Sequence, residues 1–150
     1  MLTNRLLDYM AAYERSYADD DWTRLEPFFK EDAVLEVSGG PPWGGRWRGR
    51  AAVIGTLRDR AERFDRRFQE RILAPRGSIV RMGNSVALPW RGIYRLGGPH
   101  SLPLTIEGTK VATFDSDRIE FLRDQFVPGT DRLIRHFLER HPDVGGGRPP

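Results

Sequence analysis

Leu6, Met10, Tyr13 and Tyr17 recur at intervals of four, three and four, which lines them along one face of a helix over residues 3–18. Asp19, Asp20 and Asp21 then offer a cap and favourable dipole charge to a second, shorter helix carrying Trp22, Leu25, Phe28 and Phe29. Pro27 lies inside that element and removes a backbone donor, so it should be short, kinked or partly 3₁₀. Glu31-Asp32 reads as a turn into a strand over Ala33–Val37, and the Gly- and Pro-rich stretch Ser38–Gly49 reads as a loop. A third helix is expected over 50–68. Val53, Ile54, Leu57, Ala61, Phe64 and Phe68 form its apolar stripe, and its arginines should project on the opposite side.

Beyond Phe68 the period changes from helical to alternating. Strands are expected over 70–82, 85–97, 101–114 and 118–127, separated by Gly83-Asn84, Gly97-Gly98-Pro99 and Asp115-Ser116-Asp117. Strands of this length imply a strongly twisted, curved antiparallel sheet. Thr130 would cap a last short helix with Leu133, Ile134, Phe137 and Leu138, ended by Pro142. The pattern makes one α+β domain over 1–142, followed by a disordered tail over 143–150.

Alternation also assigns the strand faces. The even positions from 102 to 114 are mostly apolar, yet Lys110 is among them; the even positions from 118 to 127 include Leu122 and Phe126, with Asp124 between them. Two charges thus fall on inner faces, where burial is costly unless they pair or neutralise. Three readings stay open: the two pair with each other, Lys110 snorkels to an edge, or Asp124 keeps a raised pKa as an acid or base in a dry pocket. Tyr13 and Tyr17 pose the same choice on the first helix, between a structural hydrogen bond and a donor aimed at a ligand oxygen.

Composition narrows the chemistry. The chain has no cysteine, which excludes disulfides, thiolate metal sites and a cysteine nucleophile. His100, His136 and His141 have no metal-site spacing, so neither a metal nor another cofactor is expected. The Gly39–Gly45 stretch lacks the Lys-Ser/Thr ending of a phosphate-binding loop, and no Gly-x-Ser-x-Gly elbow occurs. That loop is either structural or a rim over a pocket, with Trp43 or Trp47 as a hydrophobic lid. Of 24 basic residues only Lys30 and Lys110 are lysines. The densest arginine run, from Arg58 to Arg71, is interleaved with Asp59, Glu62, Asp65 and Glu70, and a net charge of +3 steers phosphate weakly. An arginine-rich module for nucleic acid or a partner is therefore the weakest of three functional readings. No apolar run reaches the ~20 residues of a membrane span, and Arg5, Asp8, Glu14 and Arg15 interrupt any signal-peptide core, so no membrane partner and a cytoplasmic location are expected.

Three segments carry a family resemblance. Asp21-Trp22-Thr23-Arg24-Leu25 through Phe29-Lys30-Glu31-Asp32-Ala33-Val34 is one, Gly49-Arg50-Ala51-Ala52-Val53-Ile54 the second, and Asp117-Arg118-Ile119 through Leu122-Arg123-Asp124 the third. Their order and spacing resemble the nuclear transport factor 2-like superfamily, in its SnoaL-like and ketosteroid-isomerase-like branch, over residues 5–128. The resemblance implies a cone-shaped roll: a strongly curved mixed or antiparallel sheet, with three N-terminal helices and a short C-terminal helix enclosing a pocket. By position Tyr13 matches the tyrosine that stabilises an enolate oxyanion in ketosteroid isomerases. The base and the protonated aspartate of those enzymes would fall near Val37 and Lys110, neither of which fits. Asp124 matches the aspartate used as acid or base in SnoaL-like and limonene-epoxide-hydrolase-like members. The epoxide hydrolases' second aspartate is missing from Trp90-Arg91-Gly92, and Leu122 stands where the motif has tryptophan.

The first functional expectation is a cofactor-independent enzyme moving protons on a hydrophobic, oxygenated small molecule, by isomerisation, dehydration, cyclisation or epoxide opening. Asp124, Tyr13 and Lys110 would carry the chemistry, and Trp90, Tyr94, Tyr17, Phe28, Phe126 and Trp43 would shape the cavity. The second is a non-catalytic ligand-binding or scaffolding protein built on the same cone. A homodimer is expected from the resemblance, with Ile79, Ile93 and Val111 on outward positions in modest support.

Overall fold

A computed structural model describes residues 1–39, 44–98 and 102–142. Helix α1 (Leu2–Asp19) buries Leu6, Tyr9, Ala12 and Ser16, with Met10, Tyr13 and Tyr17 half-buried on its flank. The inward stripe is thus rotated from the expected one, because small Ala12 and Ser16 let the helix sit close on that side. Asp20 ends it in the left-handed conformation (φ 62°), and its N–H bonds Ser16 O at 2.8 Å. The segment Trp22–Phe28 is 3₁₀ throughout, as Pro27 demands.

Strand β1 (Phe29–Ser38) starts earlier than expected. Glu31 and Asp32 are not a turn but the exposed part of a bulged strand, whose register against its neighbour shifts between Phe29 and Val34. The expected loop also holds a short strand, β2 (Gly45–Arg48), antiparallel to β1. Helix α2 (Arg50–Arg63) stops before 68: Phe64 leaves the helix with φ −123°, and a 3₁₀ turn at Asp65–Arg67 follows, which lets Phe64 and Phe68 both pack on Tyr94. The expected strand 70–82 is two strands, β3 (Glu70–Pro75) and β4 (Val80–Met82). Pro75 lacks a ladder donor and Gly77 follows it, so pairing breaks between them.

The meander continues with β5 (Ser85–Arg95), β6 (Leu104–Asp115) and β7 (Arg118–Phe126), close to the expected bounds. Sheet order is β2-β1-β7-β6-β5-β3, with β4 also on β5. The β1–β7 pair is parallel and the others are antiparallel, so the sheet is mixed. Its inner face carries the alternation expected: Val86, Leu88 and Tyr94 on β5, Ile106, Ala112 and Phe114 on β6, Leu122 and Phe126 on β7. Helix α1 and α2 close over it, and α3 (Thr130–Arg140) buries Ile134 after Thr130 Oγ1 donates to Val127 O at 2.6 Å. Ile93 and Val111 lie half-buried on the outer alternation, whereas Ile79, expected outward, packs against the core from the bend before β4.

Candidate functional site

Between α1, the end of α2, β3 and the inner face of β5–β7 lies a cavity of about 540 Å³, within the range of small-molecule sites. Leu57, Phe64, Leu88, Ile106 and Phe126 make its walls apolar. Leu7 and Ile72, each 45% exposed, mark its mouth. Its inner end is charged. Lys110 and Asp124 are directly opposed on β6 and β7, and Lys110 Nζ donates to Asp124 Oδ2 at 2.9 Å. Arg60 reaches from α2 toward the same oxygen, at 3.6 Å. All three side chains are nearly buried, with 4% exposure for Asp124 and 13% for Lys110 and Arg60.

Burial would push the Asp124 carboxyl up, but the Lys110 ammonium and then the Arg60 guanidinium outweigh it, holding the group below the usual carboxylate range. The raised pKa that remained open from sequence is overturned: Asp124 is a paired carboxylate, ionised at neutral pH. The Trp90 indole N–H adds a smaller stabilisation, although it and Asp124 Oδ1 miss hydrogen-bond geometry and neither has another partner among the described residues. Trp90 is held edge-on against Phe126, with centroids 5.6 Å apart. It lies across Gly108, where an added Cβ would come within 3.2 Å of the indole and 2.8 Å of Gln125 O. Glycine at 108 is what lets this ring lie against the sheet.

A second polar group stands in the same cavity. Asp65, 4% exposed, accepts from Arg71 Nε at 3.0 Å. The other guanidinium nitrogens of Arg71 grip Glu14 of α1 at 2.9 and 3.1 Å, a bidentate pair. Burial raises the Asp65 carboxyl despite Arg71. Tyr9, Tyr13 and Tyr94 line the cavity too, and burial raises the hydroxyls of all three, so each is a neutral O–H donor. Tyr9 feels Asp124 and Arg60, while the strongest charges on Tyr13 are Asp65 and Arg71.

Of the residues nominated from sequence, Asp124, Lys110, Tyr13, Trp90, Tyr94 and Phe126 line the cavity. Tyr17 and Phe28 do not. Tyr17 is covered by Arg71, whose Cζ lies 4.2 Å from its ring centroid, and Phe28 packs edge-on to Tyr9 beneath Arg5. Trp43 and the tail 143–150 lie outside the described residues. The arginines of α2 do not all project outward: Arg60 turns in. Its signal was present, since position 60 falls three after Leu57 and four before Phe64, on the apolar stripe. Tyr9, three after Leu6, was legible in the same way. Asp65 and Arg71 were not, because they sit in an alternating charged run whose other members do pair on the surface, such as Arg58 with Glu62 and Arg63 with Asp59. Among the described residues no cluster of His, Asp and Glu could hold a metal ion, and no helix is long and apolar enough to cross a membrane.

Comparison with known proteins agrees with this architecture. A structure of a candidate isomerase from Rhodopseudomonas palustris aligns with a TM-score of 0.69 at 20% identity, covering 91% of this chain and 97% of that one. A candidate SnoaL-like polyketide cyclase from Shewanella denitrificans OS-217 aligns at 0.63 and 15% identity, over 89% and 96%. An NTF2-like protein from Burkholderia xenovorans LB400 aligns at 0.62 and 16% identity, over 88% and 95%. The structural alignments, at such low identity, show a shared fold and nothing beyond it. No curated protein matches the sequence. The sequence profile of the SnoaL-like domain does match, over residues 8–121, and the chain belongs to that family, with the NTF2-like cone as its fold.

Proposed function

We propose that this protein is a cofactor-independent enzyme that moves a proton on a hydrophobic, oxygenated small molecule. One observation carries the reading: two cations, Lys110 and Arg60, converge on one buried carboxylate, Asp124, at the inner end of an apolar cavity. A ligand carbonyl, enol or epoxide oxygen drawn to Lys110 and Arg60 meets fixed positive charge in a water-poor site, where such charge stabilises a developing oxyanion best. Asp124, already ionised, is the acceptor for the proton released as that charge develops. Tyr9, in the field of Asp124 and Arg60, donates a second hydrogen bond to the same oxygen; Tyr13, one turn further along α1, is the donor a longer ligand meets. The relatives described as a candidate isomerase and a candidate polyketide cyclase fit this class of chemistry.

The tightness of the Lys110–Asp124 pair favours a second reading. A carboxylate held below its usual range is a weak base, and a pocket with the same charges serves a non-catalytic receptor for an anionic ligand. Deuterium exchange separates the two. Hydrophobic ketones, enones, lactones and epoxides are incubated with the protein in D₂O, and α-deuteration or product is followed by NMR. The enzyme reading expects turnover that Asp124→Asn abolishes while ligand binding persists. Binding without exchange or product across the panel, or turnover that survives Asp124→Asn, overturns it.

A further inference from the structure

The Asp65–Arg71–Glu14 group lies in the same cavity as Lys110 and Asp124, yet the chemistry above leaves it unused. It draws on three elements: Glu14 from α1, Asp65 from the 3₁₀ turn after α2, and Arg71 from β3. A brace between those elements needs one carboxylate, and Glu14 already supplies it through the two terminal guanidinium nitrogens. Asp65 is held through Oδ2 alone; its other oxygen accepts no hydrogen bond among the described residues, and the residue lines the cavity. Arg71 is itself immobilised, 7% exposed and stacked 4.2 Å over the Tyr17 ring. Asp65 therefore has a fixed cation behind it and an oxygen to offer in front. The hydroxyl of Tyr13, whose strongest charged neighbour is Asp65, shares that part of the wall.

We propose that Asp65 and Tyr13, fixed from behind by Arg71, form a second recognition station that takes a hydroxyl or enol at the far end of the ligand. The cavity then reads a molecule with two oxygenated ends and a hydrophobic middle: one end at Lys110, the other at Asp65 and Tyr13, with Arg60 between them in electrostatic reach of both Asp124 and Asp65. Asp65 accepts from the ligand's O–H, and Tyr13 donates to its oxygen. Helix α1 sets the minimum spacing, because Tyr9 and Tyr13 are one turn apart, a rise of about 6 Å. This proposal rests on the anchoring role given above to Lys110 and Arg60.

Matched aromatic acids of two lengths test it by isothermal titration calorimetry. The shorter pair is 2-naphthoate and 6-hydroxy-2-naphthoate; the longer is biphenyl-4-carboxylate and 4′-hydroxybiphenyl-4-carboxylate. In the wild type the hydroxyl should tighten binding about tenfold in at least one pair, the gain expected of a hydrogen bond to a charged group in a desolvated site. Asp65→Asn and Tyr13→Phe, both close to isosteric, should each cut that gain to about twofold, read within each variant as the affinity ratio of hydroxylated to parent acid. Lys110→Met should weaken hydroxylated and parent acids equally. Equal affinity of hydroxylated and parent acids in the wild type overturns the second station and leaves the anchor standing. So does a gain that survives both substitutions. If neither parent acid binds the wild type, the anchor fails, and the two-ended ligand fails with it.

Discussion

Replacing Lys110 by methionine keeps most of the side chain's length and removes its charge, so it isolates what the ammonium does for Asp124. The carboxylate is 4% exposed and its Oδ2 takes Lys110 at 2.9 Å and Arg60 at 3.6 Å. Removing one partner of a buried ion pair costs about 3–5 kcal/mol, because an uncompensated charge stays behind. Here Arg60 stays close and compensates in part, which places the expected loss near the lower end, about 3 kcal/mol at pH 7. For a chain of this size that is roughly 6–12 °C in Tm. The loss should also depend on pH. In the wild type the folded pKa of Asp124 is depressed, so its stabilisation is present above the unfolded value and is lost as pH falls through the folded one. In the variant burial prevails and the folded pKa rises, so protonation now favours the fold and the penalty grows as pH rises. The difference between wild type and Lys110→Met should therefore be large at pH 7 and shrink toward pH 4. Urea unfolding followed by tryptophan fluorescence at the two pH values measures it. A loss under about 1 kcal/mol that is the same at both would mean a solvated, weakly coupled pair, typical of surface salt bridges, and would refute the buried charge cluster.

Other expectations are narrower. Gly108→Ala places a methyl group 2.8 Å from Gln125 O and 3.2 Å from the Trp90 ring; we expect a loss of about 1–3 kcal/mol, the usual cost of overpacking, together with a shifted Trp90 emission. If deuterium exchange is found, its acid limb should lie below the usual carboxylate range in the wild type and move upward in Lys110→Met, as a pH–rate profile would show. Tyr9→Phe should slow that exchange by about 10²-fold, the order of one lost oxyanion donor, with the fold unchanged by circular dichroism; an unaltered rate removes Tyr9 from the site. Val111 sits on the outer sheet face, where a homodimer would form. Val111→Glu should then convert a dimer to a monomer in sedimentation velocity, and a wild type that sediments as a monomer ends that expectation.

The inner faces of β5, β6 and β7 were legible because each strand spans enough alternating positions to fix its phase. That phase alone put Lys110 and Asp124 on one surface, and the turn at 115–117 brings them opposite each other. Pro27 likewise announced a 3₁₀ segment. Local pattern failed where tertiary pairing decides. Arg46-Trp47-Arg48 is a strand only because β1 offers it an edge, and the break after Pro75 shows only when β5 pairs with both β3 and β4. Arg71 carries the same residue type as its solvated neighbours, and what fixes it is Glu14, a carboxylate distant in sequence. Arg60 was legible as inward-facing from its place on the apolar stripe, but no periodicity encodes its partner, Asp124.

The placing of β7 in the sheet has a consequence for how the chain is made. Strand β7, the last among the described residues, is not an edge; it slots between β6, its immediate predecessor, and β1, from which more than half the sequence separates it. Until it arrives, β1 and β6 each expose an unpaired edge, and closing so long a loop is slow. Asp124 rides on that strand, so nascent chains ending before it hold an incomplete sheet and a lysine facing no counter-ion across the hairpin. Such chains should recruit chaperones, and the pocket should come into being only once β7 has paired with both neighbours.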